Sequence, residues 1–395
     1  MTYSLAPADE DAIAAAVAEA ARAGEPLAVR GNGTKEGILR PVQAARVIST
    51  RNLTGISLYA PKELVLTARA GTPLTEIERT LAAPGQHLIA EPPDFSALLK
   101  SSGAQTIGGV VATNFSGPRR VAWGAMRDHV LGVRAVNGVG EKIHSGGRVL
   151  KNVTGLDLCK LLTGSHGTLA VMTEITLKVL PAPEAVGTVV VPGLTPEAGV
   201  AALSAALGSP YGVSAAAYLP APAARRLGFS HAVALIRIED FSPSVAYRTE
   251  RLRAEFSGAN ILDDAASRPL WRAVRDATPL DAGDDAIWRV SVRPSKGPAV
   301  LAALETAFDA RGFLDWGGGL VWIAGPASVA AHDAVESAAR AAGGNWMLLR
   351  APDALRTAVA VIPPESEALA HITRRVKAAL DPAGILNPGR LTAGF

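Results

Sequence analysis

Cysteine is nearly absent: Cys159 is the single one in 395 residues. A lone thiol makes no internal disulfide, no CxxC metal site and no iron–sulfur cluster ligated from this chain alone. Aromatic residues are scarce at 5%. No apolar run approaches the roughly 20 residues that cross a bilayer. A basic segment ahead of an apolar core is missing too, because Asp9, Glu10 and Asp11 precede an alanine-rich stretch. These absences lead us to expect a cytoplasmic chain in a reducing compartment. Charge is nearly balanced at +3, with the small excess in the first half, too diffuse for a nucleic-acid face. Glycine and proline are plentiful (39 and 27) but follow no G-X-Y period, which excludes a collagen-like chain.

What is present is a chain of two or three units. Residues 9–23 read as a helix with acidic residues in its first turn and Gly24 as its stop. Pro26–Arg30 reads as a strand running into Gly31-Asn32-Gly33-Thr34. The runs Gly55–Tyr59 and Glu63–Arg69 follow, then a helix with Thr72 as N-cap and Pro73 at its first position. Val130–Asn137 and Glu141–Ser145 flank a hairpin turn, and Gly164-Ser165-His166-Gly167-Thr168 introduces the strand Leu169–Leu180. From Val186 to Ile362, strands (Val189–Val191, Val233–Glu239, Trp288–Arg293, Leu320–Ala324) alternate with helices (Pro196–Leu207, Ser244–Glu255, Pro298–Phe308, Val329–Ala341). Glu365–Leu380 is one more helix. The class is α+β, with units at 1–183, 186–362 and 365–395.

Three small-residue loops carry the chemistry. Gly31–Thr34 follows a strand, where converging backbone N–H groups make a nest for phosphate oxygens. It is not a GxGxxG fingerprint, since Glu36 occupies the third glycine position, nor is it a P-loop. Alone it also reads as a tight turn. Gly108-Gly109 opens a short apolar helix; it suits a ligand packed on bare backbone or a close helix–strand contact. Gly164–Thr168 is equally ambiguous by itself. The set of three, all within the first 170 residues, favours a ligand.

These residues resemble a known family. PLAVRGNGTK, LVLTARAGTPLTEIERTL, TIGGVVATN, WGAMRDHVLGVRAVNGVGE, GLDLCKLLTGSHGTLAVMTEITLKVLP and the terminal LDPAGILNPGRL match, in order and spacing, the FAD-binding domain of the vanillyl-alcohol oxidase and p-cresol methylhydroxylase (PCMH) type. The resemblance covers 1–183 and 370–395. It implies a PCMH-type FAD-binding domain of two α+β subdomains, an α+β cap, and a C-terminal tail that returns to the FAD domain. It also implies that Gly31, Asn32, Gly33 and Thr34 cradle the pyrophosphate, and that Gly108 and Gly109 let the flavin lie close, with Thr106 and Asn114 as polar contacts. Gly164, Ser165, Gly167, Thr168 and Val171 would line the other side, and Asn387 would arrive from the tail. Within the family the chain is similar to FAD-binding subunits of glycolate-oxidising complexes. That implies a larger flavin subunit and an iron–sulfur subunit as partners, a small 2-hydroxy acid as substrate, and at most peripheral contact with the inner membrane through those partners.

Departures from the family pattern matter as well. The position of a flavin-attaching histidine falls at Thr34 or Lys35, so non-covalent FAD is expected. The histidine-rich metal segment of hydroxy-acid-oxidising relatives is replaced by Asp315-Trp316-Gly317-Gly318-Gly319-Leu320-Val321-Trp322, and the seven histidines are scattered, so no metal is expected. The hydroxy acid would then be oxidised mainly on the larger flavin subunit. No catalytic residue is assigned: His166 reads as a base or a plain loop residue, Arg119-Arg120 as a carboxylate clamp or a solvated pair. Trp316 and Trp322 read as a partner surface, a substrate wall or ordinary packing. Cys159 reads as a core residue, and the sequon at Asn114 carries no weight. Two other readings stay open, a stand-alone oxidoreductase acting on a sugar acid, lactone or other alcohol, and a cofactor-free scaffold.

Overall fold

The computed structural model describes residues 3–147, 156–280 and 282–394; Gly155, which opens one of the family motifs, and the terminal Phe395 lie outside them. The first unit is built on a small parallel sheet in which Tyr3–Leu5 and Leu27–Arg30 both pair with Arg46–Ser49. Helix Glu10–Ala23 packs on it through Ile13, Val17 and Ala20, which meet Leu27 and Ile48 in a common core. Asp9 caps this helix by accepting from Ala12 N at 2.8 Å, and Gly24 ends it at φ 63°. The tail joins the same sheet: Leu27 N donates to Ile385 O at 2.7 Å and Asn387 N donates to Leu27 O at 2.9 Å. Lys377 secures the turn into the tail by donating to Thr168 O, Leu386 O and Asp381 Oδ2 at 2.6, 3.1 and 2.6 Å.

A five-stranded antiparallel sheet follows, in the order Ile56–Ala60, Val65–Arg69, Ala170–Lys178, Val130–Asn137, Lys142–Gly146. Helices Leu74–Ala82 and Ile107–Thr113 share its core through Leu74, Ile77, Leu81, Val110 and Val111. The expected Thr72 cap is corrected: Pro73 holds the cap position, and Thr72 Oγ1 instead donates to Gly55 O at 3.1 Å and accepts from Gly55 N at 3.0 Å. Cys159 is buried in this core, with Sγ donating to Ser145 O at 3.2 Å.

The remaining sheet has eight antiparallel strands in the order Asn260–Leu262, Ala185–Pro192, Val233–Asp240, Val213–Leu219, Arg311–Asp315, Leu320–Gly325, Ala286–Ser291, Asn345–Arg350. The helices expected here occur at Pro196–Leu207, Ser242–Ala254, Gly297–Ala307 and Val329–Ala341, and Asp264–Arg275 adds another. Side chains alternate across the strand Ala286–Ser291. Trp288 donates from Nε1 to His332 Nδ1 on helix Val329–Ala341, whereas Arg289 turns the other way, toward Phe115 of the first part.

This cap sheet is keyed to the first part by four buried charges. Arg237 donates from both Nη groups to Glu91 Oε1 and Oε2 at 2.9 and 3.0 Å. Arg119 donates from Nε and Nη2 to Glu239 Oε2 and Oε1 at 3.0 and 2.7 Å. Each pair joins a residue of the first part to a residue of strand Val233–Asp240.

Candidate cofactor site

The loop after strand Leu27–Arg30, the start of helix Ile107–Thr113, the loop at His166-Gly167 and the tail residue Asn387 surround a cavity of about 380 Å³. Gly31, Asn32, Gly33, Thr34, Thr106, Gly108, Gly109, Gly167 and Asn387 line it, so nine of the fourteen expected site residues converge on one space. The other five stand behind that wall. Asn114 caps the helix at φ 52° and accepts Arg127 N at 2.9 Å. Gly164 N donates to Val111 O at 3.0 Å, and Thr168 Oγ1 donates to Ser165 O at 2.7 Å. Val171 is fully buried with Ile13 and Val17.

The loop leaves a row of backbone donors free beside the cavity. Among the described residues, no protein acceptor takes a hydrogen bond from the backbone N–H groups of Asn32, Gly33, Thr34 or Lys35. Such orphaned donors beside a cavity call for acceptor oxygens from outside the chain. The two glycines of the helix start divide the labour. A Cβ on Gly108 would lie 2.9 Å from Ala70, so this residue is needed for close packing, while a Cβ on Gly109 would meet only Thr106 Oγ1, at 3.5 Å. Thr106 caps the helix by accepting from Gly109 N at 3.3 Å. Gly31 leaves no room either, since its Cβ would stand 2.4 Å from Thr106 Oγ1.

Cations sit round the same space. Lys35 Nζ donates to the neutral Gln105 Oε1 at 2.8 Å, and burial pushes its amine down to about 8. Arg390 and Arg356 brace the loop from behind: Arg390 donates to the carbonyls of Lys35, Glu36 and Arg40, Arg356 to those of Glu36, Ile38 and Leu39. Asn387 ties strand, loop and tail together, accepting Val29 N at 2.7 Å on Oδ1 and donating from Nδ2 to His166 O at 2.8 Å. The sequence motif NPGR contained Arg390, but nothing local marked Arg356, which reaches the loop from more than 300 residues away.

His166 is held at φ 54° in the cavity wall. Burial, with Arg390 nearby, pushes its imidazole down to about 3, so the ring is neutral at physiological pH. A base whose folded value lies below its ordinary 6.5 contributes stability above pH 6.5 that is lost as pH falls toward 3. In the FAD-free protein the cost at pH 5 is about 2 kcal/mol. His166→Gln is expected to flatten the fall of melting temperature between pH 7 and pH 5; an unchanged slope would contradict this.

Of Arg119-Arg120, read as a carboxylate clamp or a solvated pair, Arg119 is spent on Glu239. Arg120 lies over Trp316, 4.6 Å from the ring centroid. Trp316 Nε1 donates to Gly117 O at 3.1 Å, and Trp322 stacks on Phe313 with centroids 6.1 Å apart. The residue that sequence reasoning missed is Arg289, whose guanidinium lies 5.0, 5.6 and 5.0 Å from the rings of Phe115, Trp316 and Trp322. Among the described residues no three His, Cys, Asp or Glu side chains form a metal-sized group.

Comparison with known proteins fits this geometry. Residues 2–146 match the family described as an FAD binding domain, and residues 364–391 match the C-terminal domain of FAD-linked oxidases. Two solved structures share the fold: 4-ethylphenol oxidase from Gulosibacter chungangensis (TM-score 0.71, 13% identity, 98% of this chain and 88% of that one) and alkyldihydroxyacetonephosphate synthase (TM-score 0.71, 16% identity, 98% and 76%). The class is therefore a PCMH-type flavoprotein fold. Over nearly its whole length the chain is similar to glycolate oxidase subunit GlcE of Escherichia coli, 34% identical over 369 residues, 93% of each protein. D-lactate dehydrogenase of Archaeoglobus fulgidus is 33% identical over 176 residues, 44% of this chain and 38% of that protein. The chain belongs to the FAD-linked oxidoreductases, the family of these glycolate oxidase subunits and D-lactate dehydrogenases, and FAD is its cofactor. No helix among the described residues is long and apolar enough to cross a membrane.

Proposed function

We propose that the chain is the FAD-binding subunit of a glycolate oxidase complex, in which glycolate is oxidised to glyoxylate and the electrons leave through flavin to an acceptor. The observation that carries this reading is the row of unpartnered amides at Asn32–Lys35, set in a chain similar to GlcE along 93% of both lengths. In this reading those amides and Gly31 take the pyrophosphate, with Lys35 as counter-charge. Thr106, Gly108 and Gly109 let the cofactor lie on bare backbone. His166, Gly167 and Asn387 close the opposite wall, while Asn114, Gly164, Ser165, Thr168 and Val171 hold that wall in place. Bound FAD supplies the two-electron acceptor, and the protein orients it and excludes water.

The likeness to glycolate oxidase subunits supports a larger flavin subunit as partner. With Cys159 alone the chain ligates no iron–sulfur cluster, so onward transfer through one would use a further subunit. Any membrane association would be peripheral and made through them. Copurification from the source organism is expected to yield a complex of these subunits, and acid precipitation is expected to release all flavin of this chain into the supernatant. A lone monomer with full glycolate turnover would refute the subunit assignment, and flavin left in the pellet would refute non-covalent attachment.

A further inference from the structure

We infer that Arg289 is the anchor of a small-monocarboxylate site at the seam between the cap sheet and the FAD-binding part, with Arg120 as its second cation. The inference rests on the reading of the chain as a 2-hydroxy-acid flavoprotein and goes beyond it. It places an acid-binding site on this subunit, where the missing metal motif had pointed to the larger partner.

The argument starts from how this chain treats its other deep-set guanidiniums. Arg237 and Arg119 face carboxylates, and Arg350, Arg356 and Arg390 each donate to several backbone carbonyls. Arg289 donates to no acceptor among the described residues, and its Nε is enclosed without a partner. A guanidinium offers five N–H donors in a planar fork, and buried charges are paired unless they await a ligand. Its neighbours are ring faces, which attract the cation but satisfy none of its in-plane donors. Asp315, on the next strand but one in the sheet, attracts Arg289 without hydrogen-bonding to it: it accepts from Trp316 N at 2.7 Å, and burial pushes its carboxyl up to about 7. Burial pushes Arg289 down only to about 10, so it stays a cation at neutral pH.

Placement suits a substrate. Phe115 directly follows Asn114, the cap of the helix whose first turns line the cofactor cavity, and Gly117 two residues on holds Trp316. Phe115 thus comes to the cage from the FAD-binding part, and Arg289, Trp316 and Trp322 come from the cap. Both guanidiniums lie near the Trp316 ring, Arg120 at 4.6 Å and Arg289 at 5.6 Å from its centroid, so two cations share one apolar wall. A carboxylate matches the fork in bidentate fashion, and the three rings around it exclude water and strengthen the pairing.

The test titrates the purified FAD-loaded chain with glycolate and with oxalate, following tryptophan fluorescence and heat, while flavin content is read separately by absorbance. Saturable glycolate binding is expected, weakened at least 10-fold in Arg289→Met and a few-fold in Arg120→Met, with flavin content unchanged in both. Arg289→Lys, which keeps the charge but loses the fork, is expected to bind at an intermediate level and covers a methionine variant that fails to fold. The inference is overturned if glycolate does not bind, if Arg289→Met binds it as tightly as the native chain, or if inorganic phosphate binds as tightly as glycolate. A native chain that carries its full flavin yet binds no glycolate sinks the anchor alone. Acid binding intact in a chain that carries no flavin supports the anchor and sinks the flavoprotein reading.

Discussion

Gly31→Ala is expected to leave a nearly colourless protein, with bound FAD below a tenth of the native content. The added Cβ would stand 2.4 Å from Thr106 Oγ1, a distance no contact tolerates, so the Thr106 side chain turns out of its cap or the loop and the helix start part. Parting them does two things. It disturbs the cap that Thr106 makes to Gly109 N, worth about 1 kcal/mol. It also spreads the row of amides at Asn32–Lys35, so that they no longer converge on one anion. Hydrogen bonds to a charged group contribute about 1.5–3 kcal/mol each, and losing two weakens binding by roughly 100-fold or more. The clash has a built-in rescue, because Thr106→Gly removes the opposing hydroxyl, and glycine at an N-cap costs only a few tenths of a kcal/mol. The double variant is expected to recover most of its flavin. If Gly31→Ala keeps full flavin content, or if the second change recovers none, the loop does not hold the cofactor as described.

Arg237→Met is expected to destabilise the whole chain by about 3–5 kcal/mol, because it strands a carboxylate in the interior. Arg237 is 1% exposed, donates from Nε to Ser214 Oγ at 3.1 Å, and lies 4.9 Å over the Trp271 ring. Without it Glu91 keeps the backbone N–H of Arg119 at 3.2 Å and the more distant charge of that residue, whose Nη1 is 3.9 Å away. Removing both members of the pair, in Arg237→Met with Glu91→Leu, is expected to be milder than the single change, since no lone charge remains. Thermal melts of the three proteins decide it, and a double variant no more stable than the single one would rule out the stranded charge as the cause. The pH dependence has a definite sign. Burial alone would raise the Glu239 and Glu91 carboxyls, but Arg237 and Arg119 hold both well below the ordinary 4.5. A depressed carboxyl contributes stability that is full above pH 4.5 and lost as pH falls below it, so acid unfolding should be less steep in Arg237→Met.

The parts legible in the sequence were those with a local cause. Three glycine loops stood at strand and helix boundaries, each open to a plain structural reading alone and favouring a ligand only as a set, and the loop at Gly31 did end up beside Gly108-Gly109. Elements were missed where the cause is not local. Val213–Leu219, three of whose seven residues are alanine, has little strand propensity, yet it lies between two other strands and all seven residues are buried. Thr72-Pro73 looked like a helix start, but the hydroxyl found a better partner in Gly55 across the sheet. Arg119-Arg120 read as one unit, although burial separates them: Arg119 goes to a cap carboxylate and Arg120 to a ring. Arg289 gave no signal at all, because an arginine in an apolar strand announces neither which face it takes nor which rings meet it there.

The bond from Asn387 to Val29 has a consequence for the order in which the chain becomes a protein. Strand Leu27–Arg30 leaves the ribosome long before residues 385–390, and the intervening cap can fold in that interval. Until Asn387 and Arg390 emerge, the amide loop lacks its braces, and the strand edge that Leu386 will cover stays open. Contacts of such long sequence separation are slow to form, and an open strand edge is a site of mispairing. The cap can thus be finished while the cofactor cradle still waits for the tail, and that interval is where mispairing is expected.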